Sequence, residues 1–565
     1  MYLRTTRRKN RDGSIVSYLQ LAHNVWDREK QSSKTTIVHN FGRTDQLDRQ
    51  VLIRLCRSIA KACGVVVRIE DPAADVLPAG HEVLREGVIH HRTRPVGTVW
   101  AVEALWERLG IGPALRELQV RSKSTIPYER ALFAMVANRL DEPTSKLGVW
   151  DRWLERVHLP SAEGLKLSWM YEAMDLLQAH QAEVEERVFF ETANLLNLEV
   201  DLIFYDTTTC SFAVDVPKPD DEDDVRKLGY SKEGTWTPQV VVALAVTREG
   251  LPVRSWVLPG NTTDVTTVKR VRDDLRGWKL GRTLFVADSG MNSEDNRAEL
   301  AKAGGRYVLA CRAASVTEVK DQVLGRAGRY KELAPNLRVK EVVVDEGERR
   351  RRYILCHNPA QAKRQAAHRG QVLEELEAKL SSHPDKSASA KWAIKLRASG
   401  RYGRYLAVTK GGKLRIDRAA ARSAARLDGK WVLITNDDTL SVEDAAQAYK
   451  GLLVIERCFR TLKSTQIEMR PMFHWLPRRI EAHVKLCVFA LLIERVAERA
   501  CGRPWPRLRR DLDQMQVAEY RDATHRIFRL NADAGPARSV LIELGIKPPK
   551  PIVGIELLQV TPSDA

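Results

Sequence analysis

Two aspartates in this chain share one local construction. Asp206 ends the apolar run Leu202-Ile203-Phe204-Tyr205 and is followed by Thr207, Thr208 and Thr209, while Asp288 ends Leu284-Phe285-Val286-Ala287 and is followed by Ser289 and Gly290. A carboxylate at the end of a buried strand is fixed by the sheet while its side chain clears the edge. Several carboxylates converging there can charge-compensate two hard cations about 4 Å apart, the arrangement that two-metal phosphoryl transfer requires. A third acid is offered by Glu456 in QAYKGLLVIERCFRTLKS. Tyr449, Glu456 and Lys463 recur at seven-residue intervals, which puts them along one face of a helix with Arg460 beside them. Each acid also has a plainer reading. An Asp after a strand commonly caps the next turn or helix, and Glu456 can pair with Arg460 four residues on; helix spacing by itself favours that exposed stripe.

Other acids and histidines compete. Asp201 lies one strand length before Asp206, at the wrong end of the strand to join Asp288. Asp264, after Asn261-Thr262-Thr263, reads as a helix cap. The run Asp220-Asp221-Glu222-Asp223-Asp224 reads as a solvated loop. His474 and His483 flank the Glu456 helix in sequence and are secondary candidates, without the grouping that zinc needs.

The elements that must position these residues follow from periodicity. Residues 1–45 alternate apolar and polar around Asp12-Gly13, the pattern of a small β-ribbon with a basic start from Arg4 to Arg11. From about 98 to 200 the period is helical, and Trp100, Trp106, Trp150 and Trp153 read as core. After 200, strands at 201–206, 238–260 (a hairpin), 283–288 and 306–313 alternate with two helical stretches in the order β-β-β-α-β-α-β. The segment 314–430 reads as a basic, β-rich insertion with one helical piece at 371–381. Ser441 opens a strong helix over 441–464, and another helix spans 480–500. These readings divide the chain into 1–95 (ribbon and linker), 96–200 (helical), 201–313 (strands and helices), 314–430 (basic and β-rich), 431–500 (a strand, then helices) and 501–565 (helical cap and tail).

Composition narrows the partner. The 565 residues carry 91 Lys+Arg against 73 Asp+Glu, a formal +18. Residues 312–430 hold 28 basic and 13 acidic side chains, a net +15, and charge so concentrated points to a polyanion such as nucleic acid. Eight scattered cysteines support neither zinc nor a disulfide framework. No apolar run reaches the length of a membrane span, and a cytoplasmic protein is expected.

The chain resembles the DDE transposases of insertion sequences that carry the hairpin-type Y-x2-R-x3-E-x6-K motif. Tyr449, Glu456 and Lys463 match that motif; the Arg position is Leu452, so the DNA contact of that Arg is not carried over, with Lys450 and Arg457 as the substitutes at hand. YDTTT around Asp206, ADSGM around Asp288, and the RPMFHW and EAHVKLCVFALLIER stretches extend the likeness over roughly 200–500. The resemblance implies an α/β fold, a ribonuclease-H-like mixed sheet whose catalytic domain is formed by 201–313 and 431–500 and interrupted by the β-rich insertion 314–430 that contacts transposon-end DNA, with 96–200 as a DNA-binding region and Trp392 and Trp431 as the available stacking residues. It also implies Mg²⁺ (or Mn²⁺) held by Asp206, Asp288 and Glu456, with Tyr449, Arg460 and Lys463 against DNA. The substrates would be double-stranded element ends and target DNA, bound by at least a dimer. The rivals are a metal-dependent nuclease of the same fold and a DNA-binding derivative without catalysis.

Overall fold

The computed structural model describes residues 2–9, 15–27, 32–44, 47, 89–212, 224–280, 283–312, 318–346, 349–383, 387–521, 524–532 and 534–557. Two units divide at Val88. In the first, β1 (Tyr2–Lys9), β2 (Ile15–Asp27) and β3 (Ser32–Arg43) form an antiparallel sheet in that order. The pairing runs from Tyr2 opposite Ala22 to Lys9 opposite Ile15. The Asp12-Gly13 turn lies outside the described residues.

In the second unit, β4 (Ile89–Pro95) leads into a helical stretch whose main members are α1 (Gly97–Arg108), α2 (Ile111–Ser122), α3 (Tyr128–Asp141), α4 (Leu167–Ala179) and α5 (Gln181–Leu195). Trp106 and Trp153 are core residues, as their spacing suggests. Trp150 departs from that expectation. It is exposed, with its indole N–H donating to the Leu165 carbonyl at 2.9 Å.

The main sheet is built on β5 (Leu202–Ser211), β6 (Lys227–Tyr230), β7 (Trp236–Thr247), β8 (Pro252–Pro259), β9 (Leu284–Ala287) and β10 (Arg306–Cys311). Helix α6 (Asp264–Gly277) precedes β9 and α7 (Glu294–Ala301) follows it. Five strands take the order β8-β7-β5-β9-β10, with β7 antiparallel to both neighbours and β5, β9 and β10 mutually parallel. This is the ribonuclease-H-like order. The short β6 was not anticipated; its four residues, Lys227 to Tyr230, leave too little alternation to read.

Both sheet faces are covered, which is why β5 is apolar at consecutive positions rather than alternately. Leu202 and Phe204 face the helical stretch and the segments after residue 440, whereas Ile203 and Tyr205 pack with Val268, Val271 and Leu275 of α6 and Leu300 of α7. Strand β5 also runs further than its apolar run indicates. The β-branched Thr207 to Thr209 continue its pairing with β7 as far as Ser211 opposite Gln239.

The sheet continues through β16 (Lys430–Thr435), β13 (Arg349–His357), β12 (Leu337–Glu346) and β11 (Lys331–Ala334). The early insertion strands therefore extend the main sheet. Beyond them, helices α8 (Pro359–Ser382), α9 (Lys391–Ala398) and α10 (Arg418–Ala425) dominate, with only the short pair β14 (Leu406–Val408) and β15 (Leu414–Ile416). Helix formers at 359–382 explain the difference, as do Pro359 at the first turn and Asn358, whose side chain accepts the Gln361 N–H at 3.0 Å. Helices α11 (Val442–Lys450), α12 (Leu452–Arg460) and α13 (Pro477–Cys501) follow. The last stretch is mixed rather than helical. With α14 (Trp505–Leu512) and α15 (Gly535–Glu543), strands β17 (Gln516–Arg521), β18 (His525–Leu530) and β19 (Ile552–Leu557) form a sheet that β4 completes.

Candidate active site

Register brings the two aspartates together. The parallel pairing of β5 with β9 ends at Tyr205 opposite Ala287, so Asp206 and Asp288 are the next residues on adjacent strands, whose spacing is about 4.8 Å. Asp206 is half-buried within the longer β5, and Asp288 is exposed just past β9. By pleat alternation both share the face of Phe204 and Val286, on which the residues after 440 pack.

The helix reading at 441–464 requires correction into three pieces. Ser441 caps α11 by accepting the Asp444 N–H at 3.0 Å, in line with its sequence signature. The helix then breaks at Gly451 and restarts as α12, and the turn after Arg460 widens to a π-helix over Thr461–Thr465. Gly451 has a steric cause. A Cβ there would lie 2.2 Å from Cζ of Phe204, so only glycine lets this helix rest on the strand that carries Asp206. Leu452, where the resembled motif has Arg, is buried in the same core; a guanidinium there would enter an apolar layer.

Tyr449 reaches the site: its hydroxyl donates to Asp288 Oδ1 at 3.0 Å. Burial, then the Asp288 charge, pushes the phenol pKa up and keeps that donor protonated. Glu456 is exposed on α12, and Arg460, also exposed, ends that helix. Lys463 is part of a different contact. Its ammonium and the Arg470 guanidinium both pair with Glu233, at 3.2 and 2.9 Å.

One acid was misread from sequence. Asp264 does not cap α6; Thr263 holds the cap position and Asp264 is the first helical residue. Its carboxylate instead accepts the Thr207 hydroxyl and pairs with Lys232 at 3.0 Å. A Cβ on Gly290 would lie 3.0 Å from Asp264 Oδ2, so the loop after Asp288 also passes against it. The available signal was Thr207 beside Asp206, a hydroxyl needing a buried acceptor. Asp206 is held with its pKa raised to about 6, chiefly by burial, with Lys232 pulling the other way and Asp264 and Asp288 adding to the rise.

Beside these groups opens a cleft of about 870 Å³ bordered by Thr207, Lys232, Asp264, Gly290, Arg297 and Arg351. Oxygen donors at one sheet edge match hard divalent cations in type. Among the described residues, however, no three His, Cys, Asp or Glu side chains stand close enough to share one metal ion.

The competing residues are accounted for elsewhere. Asp201 pairs with Arg248 at 2.6 Å at the far end of β5. Asp224 is buried against Arg226, not solvated, and the rest of that acidic run lies outside the described residues. His483 is buried with Lys146, and His474 packs edge-on against Tyr171. Trp392 stands against His383, and Trp431 is packed on the core with its indole nitrogen unpartnered. Cys210, Cys311, Cys356, Cys458, Cys487 and Cys501 are free thiols; Cys56 and Cys63 lie outside the described residues.

Comparison with known proteins adds the family. Residues 211–492 match the transposase DDE domain, and residues 3–70 match the N-terminal domain of the IS1634 family of transposases. No curated protein matches the chain. Among solved structures, it is similar to the piggyBac transposase in a cryo-EM synaptic complex with hairpin DNA, at 10% identity and a TM-score of 0.31, over 74% of this chain and 78% of that one. Within the described residues no helix is long and apolar enough to cross a membrane. A DDE domain on a ribonuclease-H-like sheet, preceded by an IS1634-type N-terminal domain, places this chain in the insertion-sequence DDE transposases.

Proposed function

We propose that this transposase cuts the ends of its element and joins the resulting 3′-OH strands to target DNA, with Asp206, Asp288 and Glu456 as metal ligands. The observation that carries this reading is the register that sets Asp206 beside Asp288, on the face where the Gly451 helix rests on Phe204. Mg²⁺ or Mn²⁺, when bound, would supply charge neutralisation at the attacking and leaving oxygens. In the first reaction water attacks phosphorus, its proton passes to solvent, and the bond to the element's 3′ oxygen breaks. In the second, that 3′-OH attacks a target phosphodiester and displaces the target's own 3′ oxygen.

The residues of the chain divide the remaining work. Tyr449 orients Asp288 through its hydroxyl. Lys232, held by Asp264, presents a cation at the cleft where phosphate enters. Arg460 at the end of α12 and Lys463 in the following π-turn would contact the DNA backbone, Lys463 by leaving Glu233 for phosphate. The net +15 of residues 312–430 supports DNA across the insertion, and two ends held at once require a dimer.

Labelled duplexes bearing the element's terminal repeats test this reading. Purified protein with Mg²⁺ is expected to yield both cleaved ends and joined products. Asp206→Asn should lower both by on the order of 10³-fold while duplex binding persists. Cleavage without joining would favour the nuclease, binding without cleavage in the wild type would favour the inactive derivative, and an active Asp206→Asn would refute the site.

A further inference from the structure

A second charged recess lies in the same unit, away from the carboxylates. It is a cavity of about 540 Å³, lined by Arg139, Lys146, Arg470, Phe473, His474 and His483 among others. Lys146 is 4% exposed and Arg139 is 5% exposed. Cations buried to that extent are ordinarily paired with carboxylates, yet neither forms an ion pair among the described residues. The Arg139 guanidinium donates to the carbonyls of Thr144, Ile467 and Glu468 and leaves Nε unpartnered.

Lys146 contacts a ring that cannot neutralise it. His483 Nε2 faces the Met469 carbonyl at 3.1 Å, and a carbonyl only accepts, so that nitrogen carries the proton. Nδ1 then accepts from the Lys146 ammonium at 2.9 Å. His483 and the adjacent His474, 5.3 Å away ring to ring, are both held neutral, mainly by burial and then by the Lys146 charge. The one acid on the lining, Glu468, is exposed at the rim. Burial likewise pushes the Lys146 pKa well down, the cost of a cation without its counter-charge.

The recess is connected to the strand bearing Asp206. Arg470, on its wall, donates to Ser211 Oγ at 3.3 Å, at the end of β5. Ser211 stands five residues past Asp206, about 17 Å along the strand. Phe473, on the lining, is 60% exposed, aromatic surface suited to a sugar or base.

We propose that this recess is an anion site that receives a backbone phosphate of the element-end DNA, several nucleotides from the cleaved bond, with Lys146 and Arg139 Nε as its donors. This rests on the DNA-end reading above. A phosphate brings several acceptor oxygens to two cations that no carboxylate pairs with among the described residues, and charge-assisted bonds to both can form at once.

Three measurements test it, all without metal so that catalysis plays no part. Inorganic phosphate is expected to raise the melting temperature of the wild-type chain saturably, and to do so less for Lys146→Met or Lys146→Gln. Terminal-repeat duplex should bind the Lys146→Met protein about tenfold more weakly, with the salt slope reduced by about 0.9. Methylphosphonate placed at single positions along the duplex should reveal one position that weakens wild-type binding and not Lys146→Met binding. That last arm holds for the wild type even if both variants fold poorly, since a neutral linkage at the right position must still weaken it. No saturable effect of phosphate on the wild type overturns the site. Stabilisation by phosphate with no sensitive position on DNA overturns the assignment to a DNA phosphate in favour of a free anion. If Asp206→Asn abolishes cleavage while these arms fail, the recess proposal falls and the active-site reading stands; an active Asp206→Asn with these arms met refutes the active-site assignment and leaves the recess standing.

Discussion

The strand-edge cleft and the basic recess are two answers to one problem of buried charge. At the strand edge beside the cleft, Asp206 is half-buried near further carboxylates, and its pKa rises to about 6 even with Lys232 nearby. In the recess, Lys146 is buried beside neutral imidazoles and another cation, and its pKa falls. Each place holds an excess of one sign that the fold compensates incompletely. The cleft is suited to cations and the recess to an anion. Glu494 of α13 is the instructive third case: buried, with Oε2 unpartnered and Glu498 nearby, its pKa is raised to about 8. It sits within the helix's buried face and meets its deficit by keeping a proton.

The strongest way to break this comparison is to move the cleft without touching its charges. Gly451→Leu would push a side chain into Phe204, lift α12 and displace Glu456 and Tyr449. Cleavage should fall on the order of 10²-fold, the scale of a misplacement near 1 Å, with stability lower by about 1–3 kcal/mol. Cleavage kinetics and thermal melts check both, and unchanged cleavage would detach the Gly451 helix from the site.

Altering the cleft's compensation should have a smaller effect. Asp264→Asn frees Lys232 and the Thr207 hydroxyl, and about a tenfold loss of cleavage is expected, since a single charge-assisted contact is worth roughly 1.5–3 kcal/mol. Lys232→Gln should lose a similar amount, and the double variant little more than either, because the two act as one pair. Additive losses would mean that Asp264 acts separately.

Glu494 provides the smallest effect on activity, expected to be none at pH 7, and a clear effect on stability. Its folded pKa exceeds its unfolded value, so its contribution is fully present below about pH 4.5 and is lost as pH rises through about 8. Glu494→Gln should therefore gain about 1–3 kcal/mol over wild type at pH 9 relative to pH 5, read from melts at both. An equal difference at the two values would show that Glu494 titrates normally.

Much of the candidate active site was legible because its parts are local. An apolar run ending in Asp is visible in both strands, and Tyr449, Glu456 and Lys463 keep their spacing whatever surrounds them. Asp264 was not legible in that way. Its partners, Thr207 and Lys232, lie 57 and 32 residues before it, and only strand pairing brings them to one edge. The recess was less legible still, since Lys146 and His483 are 337 residues apart.

Residue types and short spacings, carried by covalent neighbours, determined the strand and helix periods, the acids available for phosphoryl transfer and the charge that favours DNA. Tertiary structure decided the register that sets Asp206 beside Asp288, the break at Gly451 and the extension of β5 through three threonines. It also decided which buried charges lack partners. Those outcomes depend on which distant segments meet, and burial in a low-dielectric interior is a property of that meeting rather than of any residue alone.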